Sequence, residues 1–233
     1  MQDEVIKHTK KAIEKMKDKE HSFWDKLKEV SIEILIIVFA VTLSIWLHTW
    51  SEQQKQRNEA KEFLSDLKED LNNDIDSLKN DQIQLNKNRK SIANVLMMTD
   101  SKLDSIIKNK SSFGFQSAIG TTKISDGDYE GFKSSGKIGF IENKQLKKYI
   151  LNYYQDAIPD LIEAQKINDS MIIKISDYWA DHADEDIKQI ILSQRLKYRI
   201  SMYLNTSEGT LELYHNAIKT AQKIITEINK QKD

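Results

Sequence analysis

The stretch EVSIEILIIVFAVTLSIWLHTWSEQQK, residues 29–55, decides how this chain is organised. The 21 residues from Val30 to Trp50 contain no Gly or Pro and one charged side chain, Glu33. A helix of that length spans roughly 32 Å, close to the thickness of a bilayer's hydrocarbon core. Residues 35–39 are all apolar, so every face of the helix is apolar, whereas a soluble core helix would keep a polar stripe. The stretch therefore predicts a transmembrane helix over residues 30–50.

Aromatic residues flank this helix as they do at membrane–water interfaces. Trp24 precedes it, and Trp46 and Trp50 close it. A cleaved signal peptide is disfavoured, because the segment before the apolar run is long and LHTWSEQQ lacks a small-x-small cleavage pattern. We therefore expect an uncleaved signal anchor held in the lipid bilayer.

The lysine distribution predicts the orientation of the span. Seven Lys lie in the 20 residues before Val30, against four Lys and Arg in the 20 residues after Trp50. The side with more Lys and Arg usually stays in the cytoplasm. We expect residues 1–29 to be a cytoplasmic basic tail and residues 51–233 to lie in the periplasm, with the span in the inner membrane. The tail is either an amphipathic helix on the inner leaflet or a solvated segment.

Composition narrows the class of the exported part. The net charge is −1, which argues against a nucleic-acid-binding surface, and the absence of Cys excludes disulfides. One Pro and seven Gly in 233 residues favour long helices. We see no period-two alternation and predict an all-α fold, an elongated antiparallel bundle into which the transmembrane helix continues.

An apolar seam follows the span at helical spacing. Its members step by three and four residues: Ala60, Leu64, Leu67, Leu71, Ile75 and Leu78. The seam resembles a heptad pattern, so either a second copy of the chain or packing within the chain would cover it. The helix either continues to residue 109 or breaks near NDQIQLNKN, residues 80–88, because Asn and Asp compete for backbone hydrogen bonds.

Loop and turn signals divide the remainder. Residues 110–128 hold several Gly, Ser and Thr and predict a loop, followed by a short helix in YEGFKSSG that stops at Gly136. A further helix is interrupted or kinked at Pro159. After ADHADED we expect a helix over about 187–204, a turn at NTSEGT (residues 205–210) and a last helix.

Two stretches carry a family resemblance: EILIIVFAVTLSIWLHTWSEQQKQ and YEGFKSSGKIGFIENKQLKKYILNYY. Together they resemble an uncharacterised family of small single-pass membrane proteins, mainly of the Bacteroidota, over about residue 23 to the C-terminus. The positions that fit the family pattern are Glu33, Trp46, Trp50, Ser134, Ser135, Gly136, Asn143, Leu146, Tyr153 and Tyr154. Ile32 and His48 depart from it, since the family often has Gly and Asn there. The resemblance implies no activity.

The motifs for catalysis, metal binding and cofactor binding that we sought do not occur, so we predict no catalytic, metal or cofactor residue. Glu33 is a shallow edge acid, a contact with a neighbouring membrane chain, or a proton-coupled group. The main functional hypothesis is a non-catalytic interaction or scaffold module that binds other membrane or periplasmic proteins, such as an accessory subunit of a membrane complex. The alternative is a ligand-sensing bundle that signals through the span.

Overall fold

The computed structural model describes residues 2–109, 120 and 122–231, with the side chains of 2–9 and 11–22 outside that description. Its helices are α1 (Gln2–Leu96), α2 (Asp100–Lys108), α3 (Gly127–Ser134), α4 (Lys144–Asn152), α5 (Ile158–Asp181), α6 (Ile187–Leu192) and α7 (Gln194–Lys230). A 3₁₀ turn covers Lys137–Phe140, and a π-helical turn covers Tyr153–Ala157. No strand occurs among the described residues, which confirms the all-α prediction.

The chain forms two compact units, residues 1–56 and residues 57–233. In the first unit, the apolar stretch of α1 is helical and exposes its side chains on every face. Among the described residues, α1 is the one helix long and apolar enough to cross a membrane. The amphipathic face predicted for residues 1–29 consists mostly of side chains that lie outside the described residues.

The second unit is a bundle of three long helical runs: residues 57–96 of α1, the continuous run from α4 to α5, and α7. The inward positions of α1 alternate steps of four and three: Ala60, Leu64, Leu67, Leu71, Asp74, Leu78, Asp81, Leu85, Asn88, Ile92 and Val95. The buried positions of α7 repeat the same steps: Leu196, Ile200, Tyr203, Ser207, Thr210, Tyr214, Ala217, Ala221, Ile224 and Ile228. This seven-residue repeat is typical of coiled-coil packing.

Hydrogen bonds between the helices define their directions. Lys68 contacts Asn229 and Arg89 contacts Ser207, so α1 and α7 are antiparallel. Asn168 contacts Thr210 and Lys174 contacts Arg199, so α5 and α7 are also antiparallel, and α1 therefore runs parallel to α5.

Two buried clusters fill the bundle. The larger joins the first turns of the α1 repeat to Ile150, Leu161 and the end of α7, and the smaller joins Ile92 to Ile175 and the start of α7. Leu67, Leu71 and Leu78 are fully buried. Burial of one such side chain stabilises the fold by about 1.5–3 kcal/mol.

Neither alternative for this helix matches the structure, because α1 passes through residues 80–88 without a break and ends at Leu96, short of residue 109. Asn88 and Asp81 lie on the core-facing side and bond to side chains, so they do not compete for the backbone. Residues 97–99 separate α1 from α2, and the Thr99 hydroxyl caps α2 by accepting a hydrogen bond from Lys102 N–H.

The predicted turn at NTSEGT is also wrong, since α7 runs through residues 205–210 without interruption. Ser207 and Thr210 are buried and donate to helix carbonyls at Leu204 and Thr206, which satisfies both hydroxyls inside the helix. The interruption lies earlier, at Ser193, whose hydroxyl accepts from Leu196 N–H and caps α7.

At Pro159 the helical run is not interrupted, and a π-helical turn joins α4 to α5. The π-helical turn directly precedes the proline, and Ile158 N–H bonds to the carbonyl of Tyr153, five residues back. Proline has no N–H and its ring crowds the carbonyl four residues earlier, and a wider turn accommodates both effects. Most of the predicted loop at 110–128 lies outside the described residues, and α3 begins within it at Gly127.

Candidate functional site

The residues predicted at the membrane lie exposed along α1. In the described unit, α1 exposes the side chains of Trp24, Glu33, Trp46 and Trp50. The Thr42 hydroxyl donates to the carbonyl of Val38, 2.8 Å away, so this polar side chain is satisfied within its own helix. Such internal pairing is what a helix in lipid requires.

The apolar seam is covered within the chain. Ala60, Leu64, Leu67, Leu71, Ile75 and Leu78 are all buried, in the same cluster as Tyr214, Ile224 and Ile228 of α7. Packing within the chain therefore accounts for the seam, and the seam offers little apolar surface to a second copy.

The family-like residues between α3 and α4 shape the backbone. Ser134 ends α3 and the Ser135 hydroxyl donates to the carbonyl of Phe132 at 2.9 Å. Gly136 has φ +74°, a left-handed conformation that favours glycine. Asn143 caps α4 by accepting from the N–H groups of Gln145 and Leu146 at 3.0 Å, and Leu146 is fully buried.

Tyr153 bonds to a buried carboxyl on α1, and Tyr154 bonds to the segment before α3. The Tyr153 hydroxyl donates to Asp74 Oδ2 at 3.0 Å, and Ser125 N–H donates to Asp74 Oδ1 at 2.9 Å. The Tyr154 hydroxyl donates to the carbonyl of Ser125 at 3.1 Å, and its ring stacks on Tyr129 with centroids 4.1 Å apart. This polar cluster joins α1, the segment before α3 and the π-helical turn.

Burial governs the ionisation of this cluster. Asp74 is 1% exposed, and desolvation raises its pKa above the ordinary value, opposed by the hydrogen bonds from Ser125 and Tyr153. Burial, together with the nearby Asp74 charge, raises the pKa of Tyr153 and of Tyr154 far above that of free tyrosine. No lysine, arginine or histidine among the described residues pairs with Asp74. The cluster therefore links helices through hydrogen bonds to a buried carboxyl that has no basic partner among the described residues.

A second polar cluster surrounds a cavity of about 150 Å³ in the bundle. The Gln165 amide donates to Tyr214 Oη at 2.5 Å and to Thr122 Oγ1, and its carbonyl oxygen accepts from Thr122 N–H at 3.3 Å. The Thr122 hydroxyl donates to Asp81 Oδ2 at 2.7 Å. The donors at the centre of this cluster are therefore used within the protein.

Two further residues on α5 line the same cavity, Asn168 and Asp169. Asn168 is 5% exposed, and its Nδ2 donates to Thr210 Oγ1 at 2.7 Å. Its Oδ1 has no hydrogen-bond partner among the described residues. Asp169 is half-buried, and that burial raises the pKa of its carboxyl.

A groove of about 390 Å³ lies on the surface between α5 and α7. Met171, Tyr198 and Met202 form its apolar part, and Lys174, Arg195 and Arg199 surround it. Tyr198 is 67% exposed. None of the three cations forms an ion pair with a described acidic residue.

Our sequence reasoning did not identify the buried polar residues of α1, although a signal was present. Asp74, Asp81 and Asn88 are seven residues apart and share the phase of Ala60 and Leu67. Polar residues at a core-facing heptad position indicate buried hydrogen-bonded partners. The sequence carries no comparable signal for the groove, because the groove residues come from two separate helices, α5 and α7.

Among the described residues, no group of three or more His, Asp or Glu side chains is arranged to hold a metal ion. No curated protein and no solved structure matches the chain. The chain does match one protein family, over residues 33–180, which takes in the apolar stretch from Glu33 and extends to the end of α5. The match is shorter than the predicted resemblance, since α6 and α7 lie beyond it. The chain belongs to this family, DUF6090, a family of unknown function.

Proposed function

We propose that this chain is a single-pass inner-membrane protein whose periplasmic bundle binds an acidic segment of another protein and catalyses no reaction. The observation that carries the proposal is the groove between α5 and α7, where exposed Tyr198 and two methionines are surrounded by three unpaired cations. Tyr, Met and Arg are enriched at protein interfaces, and Tyr and Arg are frequent among the residues that dominate binding energy.

The anchoring part of the proposal rests on α1. Its apolar side chains are exposed on all faces in the described unit, and a bilayer would cover them. The lysine excess before Val30 supports a cytoplasmic N-terminus. A reporter enzyme that is active only outside the cytoplasm, fused after Asp233, should be active. Activity of a cytoplasmic reporter alone at that position would overturn the orientation.

Arg199 makes the groove a pre-organised surface. Its Nη1 donates to the carbonyl of Lys174 at 2.7 Å, and its guanidinium lies over the Tyr178 ring, 5.6 Å from the centroid. A side chain already held in place loses little conformational entropy when a partner binds. Arg195 is exposed on the preceding turn of α7 and supplies a second charge.

The occupant that fits this chemistry is an amphipathic helix of a membrane or periplasmic protein with acidic residues beside its apolar face. The groove residues recur on α7 at 195, 198, 199 and 202, the spacing of one helix face. An apolar strip with charged borders is the usual site for a helix that packs alongside. Acidic borders on the occupant would neutralise the three cations.

Charge reversal tests the proposal in the full chain, purified from native membranes in mild detergent. Arg195→Glu should remove a co-purifying protein that the wild type retains, and moderate salt should weaken its retention, because exposed charge pairs are screened. Lys219→Glu is the matched control, since Lys219 is exposed on the same helix and does not line the groove. Equal loss in both variants, or no loss in either, would contradict docking in the groove.

A further inference from the structure

The cavity at Asn168 carries an inference that is independent of the groove. We propose that this cavity is a binding site for a small organic cation, a primary amine on a short carbon chain. Binding of such a small ligand is also what a periplasmic sensor requires.

The cavity has a surplus of hydrogen-bond acceptors. Thr210 donates its hydroxyl proton to the carbonyl of Thr206, so its oxygen can only accept from Asn168 Nδ2. This arrangement fixes the orientation of the Asn168 amide and leaves Oδ1 without a donor among the described residues. A buried carbonyl oxygen without a donor is unfavourable, so a ligand that supplies an N–H to it would be stabilised there.

The carboxylates that line the cavity give it a negative charge. Asp81 and Asp169 both line the cavity, and neither forms an ion pair with a described basic residue. Among the described residues, no Lys, Arg or His lines the cavity. Asp81 uses one oxygen for the Thr122 hydroxyl and keeps the other. A cationic group would therefore meet two carboxylates and the free amide oxygen, whereas an anion would be repelled.

The cavity is small, and part of its lining is apolar. A volume of about 150 Å³ corresponds to about five water molecules at about 30 Å³ each, so the ligand is small. Leu85 and Ile172 offer contact to a short carbon chain. Tyr203 and Tyr214 offer aromatic rings, which attract ammonium groups. No metal-binding group of three ligands occurs among the described residues, which favours an organic cation.

The test uses the full chain in mild detergent and two amines, propylamine and 1,4-diaminobutane, in calorimetric titration and thermal unfolding. Either amine should bind and raise the unfolding temperature, while 1,4-butanediol and butyrate, which lack the ammonium group, should not. Asp169→Asn should weaken amine binding at least tenfold. Asp160→Asn, an exposed change on the same helix outside the cavity, should leave binding unchanged.

Three results would overturn the site. One is the absence of binding by both amines, which would mean that the cavity holds only water. Another is binding of the diol as tightly as the diamine. The last is equal affinity in wild type and Asp169→Asn. Should Asp169→Asn fail to fold, Asp81→Asn removes the other charge, and the same loss of affinity is expected. Groove variants such as Arg195→Glu should not alter amine binding, so the two proposals can fail separately.

Discussion

Replacement of Asp74 by alanine should destabilise the bundle by about 2–4 kcal/mol. The substitution leaves two donors without a partner, Ser125 N–H and the Tyr153 hydroxyl, which now lie 2.9 and 3.0 Å from the carboxyl oxygens. Each buried group left unpaired is unfavourable by about 1–3 kcal/mol, which gives about 2–6 kcal/mol for the pair. The loss is reduced because the substitution also removes a buried carboxyl whose charged form is desolvated.

Asp74→Asn separates these two effects. Its carbonyl oxygen can still accept from Ser125 N–H, and its amide can donate to the Tyr153 oxygen, so the loss should stay below about 1 kcal/mol. Burial raises the pKa of Asp74 in the folded state. The proton-linked stability is therefore full below the unfolded pKa and is lost as the pH rises through the folded pKa. The stability of Asp74→Asn relative to wild type should accordingly improve as the pH rises above about 4.

Guanidinium unfolding of the full chain in mild detergent, followed by the near-ultraviolet circular dichroism of the buried tyrosines, measures both effects. Asp76→Ala is the matched control, because Asp76 is exposed two residues away on the same helix, and its effect should stay within about 0.5 kcal/mol. Equal stability of Asp74→Ala and Asp76→Ala would refute the buried network, and a parallel pH dependence of wild type and Asp74→Asn would refute the ionisation argument.

Three further perturbations test other parts of the fold. Gly136→Ala should cost about 1–2 kcal/mol in unfolding free energy, because φ is +74° there while the added methyl group has open space; a neutral result would contradict the left-handed turn. Leu71→Ala should cost about 2–5 kcal/mol, and Leu71→Cys should form no intermolecular disulfide under oxidation, since the residue is fully buried; strong dimer bands would reopen pairing through the seam. In a spectrophotometric titration, Tyr203 should ionise only near pH 12, because burial raises its pKa to about 12, and Tyr203→Phe should remove that late step.

The features that sequence could predict are those set by local chemistry. The apolar run of α1, the helix stop at Gly136 and the three-and-four spacing of Leu64 and Leu67 can each be recognised from a few neighbouring residues. These signals suffice because caps, turns and amphipathic faces depend on near neighbours along the chain.

The errors arose where tertiary contacts override local tendencies. The segment NTSEGT reads as a turn, yet Ser207 and Thr210 pack inside the bundle with both hydroxyls satisfied, and α7 continues through them. The orphan oxygen of Asn168 depends on where Thr210 of a distant helix directs its own proton. The groove likewise depends on how α5 and α7 pair. Such sites become visible only when the helices are assembled.

Site-specific photocrosslinking in native membranes shows whether the groove binds an acidic segment of another protein. A photoreactive amino acid in place of Tyr198, which is 67% exposed in the groove, is compared with the same residue in place of Ile83, which is 53% exposed outside it. The account predicts that Tyr198, and not Ile83, attaches to one defined peptide of another protein, with acidic residues beside an apolar helical face, and that Arg195→Glu abolishes the attachment. Attachment to a second copy of this chain, to a basic peptide, or equally from both positions would contradict it.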